Sequence, residues 1–99
     1  MPVAFQTEGV AIPSGKGSRT FDASVTFDTP VNSAEAALKG FMLDFSSSDH
    51  HINVVKATTR VVSISGRTVN IQIGCQYADK NYDDEYWGFV STLVIADVQ

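Results

Sequence analysis

The residues best suited to chemistry lie together late in the chain. Between Gln76 and Gly88 come all three tyrosines, Tyr77, Tyr82 and Tyr86, and the only tryptophan, Trp87. The carboxylates Asp79, Asp83, Asp84 and Glu85 are interleaved with them. Aromatic rings stack on the C–H face of a pyranose, while carboxylates and amides bind its hydroxyls. Small-ligand sites combine such apolar walls with a few placed polar groups. The same acids are hard oxygen ligands at the close spacing that calcium prefers. The central glycine of an EF-hand loop is missing, however, and the plainer reading is a solvated acidic loop, so no metal is expected. Whichever of Tyr86 and Trp87 faces inward is expected to pack in the core.

Other constellations are weaker. His50 and His51 follow Asp49, but neighbours in a strand point to opposite faces and a fourth zinc ligand is not evident. A polar turn is the simpler reading. Pro13 to Ser18 holds Gly-Lys-Gly without the spacing of a phosphate loop or a following helix pattern. Cys75 is the only cysteine, which excludes an intrachain disulfide. It falls on the apolar side of its strand with no adjacent base, so it reads as a buried small hydrophobe. No Gly-x-Ser-x-Gly elbow is present. Adjacent Asp83 and Asp84 do not set the carboxylate separation a glycosidase requires. The chain is not expected to be an enzyme.

The elements that must position these residues read as strands. Phe21, Ala23, Val25 and Phe27 alternate with Asp22, Ser24, Thr26 and Asp28, the period-two signature of a half-buried strand. Thr29-Pro30 ends it. Val3–Phe5 and Val10–Ile12 are short apolar patches, followed by a turn-rich loop over Pro13–Ser18. Ser33–Phe45 is ambiguous. Ala34, Ala37, Leu38, Phe41, Met42 and Phe45 recur at helical spacing behind a capping Ser33. Phe41, Leu43 and Phe45 also alternate, and Gly40 weakens a helix interior. The strand-rich surroundings favour a strand over about Ala37–Phe45. Ile52–Ile64 reads as a strand with one bulge, because its apolar face shifts between Val54-Val55 and Val61-Val62. Ser65-Gly66-Arg67 is a tight turn. In Thr68–Tyr77 the residues Val69, Ile71, Ile73, Cys75 and Tyr77 share one face, and Thr68, Asn70, Gln72 and Gln76 the other. Phe89–Val98 is apolar on both faces at several positions, as a central or interface strand would be. Six strands and no convincing long helix predict an all-β fold, a sandwich or small barrel.

Length and charge narrow the function. Ninety-nine residues make one domain with one core. A net charge of -4 with seven scattered basic residues argues against nucleic acid. No apolar run approaches a membrane span, and the start lacks the basic and apolar regions of a signal peptide. A soluble, unprocessed chain without membrane insertion is expected.

From about Phe5 to Val98 the order and spacing resemble the H-type lectin domain of snail agglutinins and discoidin C-terminal domains. Ser18-Arg-Thr-Phe-Asp-Ala-Ser-Val-Thr-Phe27 with Pro30 is similar to the family's Phe…Val-x-Phe strand and following proline. Leu38-Lys-Gly-Phe-Met-Leu-Asp44 is similar to its hydrophobic strand ending in Leu/Ile-Asp. Gln76-Tyr-Ala-Asp79 resembles the Trp-Ala-Asp opening its sugar loop, and Tyr86-Trp-Gly-Phe-Val-Ser-Thr-Leu-Val-Ile95 its Tyr and Val-Ser-Trp-Leu-x-Ile. The resemblance implies a six-stranded antiparallel β-sandwich and a homotrimer. It also implies calcium-independent binding of galactose or N-acetylgalactosamine type sugars near protomer boundaries, with no cofactor. Carried over, Tyr77 stands for the loop Trp, Tyr86 for the later Tyr, and Ser14 for a first-loop sugar contact. Asp79 belongs to the loop motif, and the family's arginine on the middle strand appears here as Asn53 or is lost. The segment between Tyr77 and Tyr86 is about three residues longer and more acidic than the family's. A structural or assembly module on the same scaffold, without sugar binding, is the alternative expectation.

Overall fold

Alternating burial along each strand sets the architecture. A computed structural model describes residues 2–45, 54–78 and 85–99. Its strands are β1 (Val3–Gly15), β2 (Arg19–Thr26), β3 (Val31–Phe45), β4 (Val54–Ser65), β5 (Thr68–Ala78) and β6 (Tyr86–Val98). They form two three-stranded sheets, ordered β1-β6-β3 and β2-β5-β4. Every pairing is antiparallel. The protein is an all-β, six-stranded antiparallel β-sandwich.

Strand length explains the shape. At about 3.3 Å per residue, strands of this length make a molecule of 50 × 17 × 16 Å. The core is accordingly drawn out into two clusters. One holds Val25, Phe27, Val31, Val69, Ile71, Val94, Ala96 and Val98. The other holds Ile12, Ile73, Cys75, Tyr86 and Val90. Thr92 lies between them on β6 and is fully buried. Its hydroxyl meets that of Thr59 across the sandwich at 2.7 Å and donates to the Ala37 carbonyl at 3.2 Å. With its one proton given to Ala37, Thr92 accepts from Thr59, so the buried pair is satisfied.

The central strands behave as their sequences require. On β5, Val69, Ile71, Ile73 and Cys75 are buried, and on β6 the even positions from Val90 to Val98 are. The Ser65-Gly66-Arg67 turn forms with Gly66 at φ 62°, and its carbonyls receive the Phe27 and Val31 amides. The β4 bulge falls between Val61 and Ser63.

Two expected elements differ from the structure. The patches Val3–Phe5 and Val10–Ile12 belong to one strand, which runs on through Pro13 to Gly15. Its middle, Gln6 to Gly9, carries no apolar alternation because β1 is an edge strand. Its ladder to β6 holds it there. The ambiguous segment is strand from Val31 onward, earlier than Ala37. Its helix-like spacing comes from a register shift between Leu38 and Gly40. One extra residue exchanges the two faces, so Ala34 and Ala36 point inward before the bulge and Phe41, Leu43 and Phe45 after it.

Candidate functional site

The end of β1, the start of β2, the end of β3, the start of β4, the end of β5 and the start of β6 meet at one end of the sandwich. Gly15 and Phe45 both pair with Tyr86, Arg19 pairs with Cys75, and Val54 with Ala78. Loops carried on a rigid scaffold are where binding residues concentrate. Ser14, Tyr77 and Tyr86 all belong to this end. Asn53 and Asp79 lie outside the described residues, as do Asp49, His50, His51, Tyr82, Asp83 and Asp84.

Tyr86 is the residue that ties the end together. It opens β6 on the inward parity and is fully buried. Its hydroxyl donates to the Gly17 carbonyl at 2.7 Å, with the Cys75 carbonyl a second acceptor at 3.2 Å. It accepts from Arg19 Nε at 3.2 Å. Burial raises its pKa above 10.0, the Arg19 bond opposes that rise, and the Cys75 thiol adds to it. The phenol is therefore neutral at ordinary pH and available as a donor. The expected role of Tyr86 as a ligand wall is corrected here: a ring with no accessible face cannot stack on a sugar. Of the pair Tyr86 and Trp87, Tyr86 is the one that packs in the core.

Arg19 completes the clamp. Its guanidinium donates to the Pro13 carbonyl at 2.7 Å and the Tyr86 carbonyl at 3.1 Å, and it lies 4.3 Å from the Tyr86 ring centre. Pro13 sits where β1 loses register with β6, between Ile12 and Gly15, so its carbonyl is satisfied by a side chain. Gly15 leaves the room for this, because a Cβ there would strike Arg19 Nη1. One cation thus joins β1, β2 and β6. The sequence signal for it was present, since Arg19 shares the inward parity of Phe21, Ala23 and Val25.

Tyr77, at the end of β5, keeps part of its surface. It is half-buried, with its ring 4.4 Å from that of Phe45 at 32° and 6.4 Å from that of Tyr86 at 73°. Tilted and edge contacts of this kind fix the orientation of a ring. Ser14 is exposed in the irregular stretch of β1. Trp87, 42% exposed, points out of the opposite face of β6 beside Asp44 of β3. Glu85 is exposed just before β6. Among the described residues no three His, Cys, Asp or Glu side chains converge as a metal site.

The fold and this end define a β-sandwich whose loop end carries a half-buried aromatic braced from beneath. No family model, curated protein or solved structure matches the chain.

Proposed function

We propose that this chain is a non-catalytic carbohydrate-recognition module. It acts as a homo-oligomer and takes galactose or N-acetylgalactosamine type sugars at the loop end of the sandwich, as the H-type lectin resemblance implies. The observation that carries the reading is Tyr77. Its ring packs against Phe45 and Tyr86 while the residue is half-buried, and the topology brings Ser14 to the same end. A pre-oriented ring loses little freedom on stacking against a sugar. Several copies in one assembly turn weak single sites into useful avidity. A glycan array, repeated with Tyr77→Ala, tests it. Signal on galactose-type glycans that disappears in the variant supports the reading, and a silent array for the wild type refutes it.

A second reading, an assembly module without sugar binding, is favoured by the outward side of β6, where Trp87 and Phe89 are 42% and 44% exposed. Under that reading the array is silent and Tyr77 is protected within the assembled particle.

A further inference from the structure

The two outer faces of the sandwich differ in chemistry. The face of β2-β5-β4 is mostly polar, with Val62 at the β4 bulge 50% exposed. Asp22, Gln72 and Arg60 form a hydrogen-bonded row across its strands, Asn70 bonds Ser63, and Thr26 bonds Thr68. It is a face made for water.

The face of β1-β6-β3 is more apolar, although Glu35, Asp44 and Asp97 also lie at its outward positions. Register places Phe5 beside Ile95, Leu93 between Thr7 and Ala37, and Phe89 between Ala11 and Met42. Phe5 is 62% exposed, Val3 59%, Phe89 44%, Trp87 42% and Met42 38%. At about 200 Å² for a whole aromatic side chain, the three rings alone expose about 300 Å². Val3 and Met42 carry the patch toward the upper limit for a monomer. Strand rise and spacing give the face about 40 Å by 14 Å, or on the order of 600 Å². That approaches the ~800 Å² per partner of a standard interface.

Two details indicate what covers it. Across its middle, Gly9, Ser91 and Gly40 lie side by side on the three strands. A Cβ built on Gly9 or Gly40 would meet nothing within 4 Å, so the face has a shallow waist between bulky ends. At the end away from the loops, Asp97 Oδ1 is buried with no hydrogen-bond partner among the described residues. It borders a depression of about 220 Å³ lined by Val3, Ser33, Glu35, Ile95 and Asp97. Buried polar atoms are normally paired, so this oxygen calls for a donor from outside the described residues.

We propose that the outer face of β1-β6-β3 is the surface on which a second copy of this chain seats, with bulky apolar side chains of one copy in the waist of the other. The inference rests on the oligomeric part of the proposed function and is independent of sugar binding. It leaves the polar face and the loop end open.

The test is Gly9→Thr with Gly40→Thr. Neither glycine has the positive φ that resists a side chain, so the variant keeps its β-sheet circular dichroism while the waist is filled. By light scattering, the wild type is expected at a multiple of 10.7 kDa and the variant at that mass, with self-association weakened 100-fold or more. Phe5→Ser supplies a second route should the double variant misfold, and it is expected to dissociate the assembly in the same way. Trp87, the sole tryptophan, should resist acrylamide in the assembly and become quenchable in either variant. A monomeric wild type, or an assembly that survives both variants, overturns the proposal. So does one that dissociates only with Phe41→Ser, at the open side between β3 and β4. None of these outcomes bears on the glycan array, which judges the sugar reading separately.

Discussion

Replacing Tyr86 with phenylalanine removes one oxygen from the loop end and leaves the ring in place. That oxygen donates to the Gly17 carbonyl at 2.7 Å and accepts from Arg19 at 3.2 Å. A net hydrogen bond contributes about 0.5–1.5 kcal/mol, and one to a charged group about 1.5–3 kcal/mol. Arg19 keeps the Pro13 and Tyr86 carbonyls, so its charge is not stranded and the lower part of that range applies to it. The expected loss is about 1–3 kcal/mol. Each kcal/mol lowers Tm by about 4–8 °C in a domain of this size. Urea unfolding followed by Trp87 emission measures it. Protein concentration must be held fixed, because self-association adds to apparent stability. The urea slope should not change, since the surface exposed on unfolding is the same. A variant within about 0.3 kcal/mol of wild type refutes the clamp as the device that holds the Gly17 turn.

The raised pKa of Tyr86 predicts an alkaline limit: the contribution is whole below about pH 10 and is lost as pH rises toward the folded-state pKa. Stability should fall there by at most about 1.4 kcal/mol per pH unit for this group, and pH-dependent melts of Tyr86→Phe should lack that component. Gly88→Ala should destabilise by more than about 3 kcal/mol, or prevent folding, because its Cβ would collide with the Met42 carbonyl; soluble yield and thermal melts report it. Thr92→Val strands Thr59 and the Ala37 carbonyl and should cost about 1–3 kcal/mol, with part of the loss recovered when Thr59→Val is added. A double-mutant cycle by urea unfolding checks that coupling.

Period-two alternation was enough to read β2, β5 and the inward face of β6, because each buries one face against the other sheet. It failed where edge strands are held by their ladder alone. The middle of β1 offers Gln6, Thr7, Glu8 and Gly9, and nothing in those side chains announces a strand. In β3 one bulge exchanged the faces and produced the spacing of a helix. At the candidate site, the placing of Ser14 and Tyr77 at one end of the sandwich follows from which strand ends meet. The direction of Tyr86 was not legible, since its neighbour Trp87 is equally aromatic. Only the parity of β6, fixed by Val90 and Val94 in the core, decides which ring is buried. The clamp made by Arg19 is not legible in the sequence, because a cation on an inward position looks like a strand end until its acceptors are placed around it.

The strand order has a consequence for how the chain folds. β6 is the centre of its sheet and pairs with β1 and β3, which do not pair with each other. Neither can close its ladder until β6 arrives, while β4 and β5 can form at once as a hairpin. Closing the long loops between distant strands is slow, and until then the apolar positions of β1 and β3 have no sheet. The β4-β5 hairpin should therefore form first, with β2 joining it through pairs as distant as those of β3 with β6. The β1-β6-β3 sheet should assemble later and around a single strand, so a destabilising change in β6 should slow refolding more than the same change in β1.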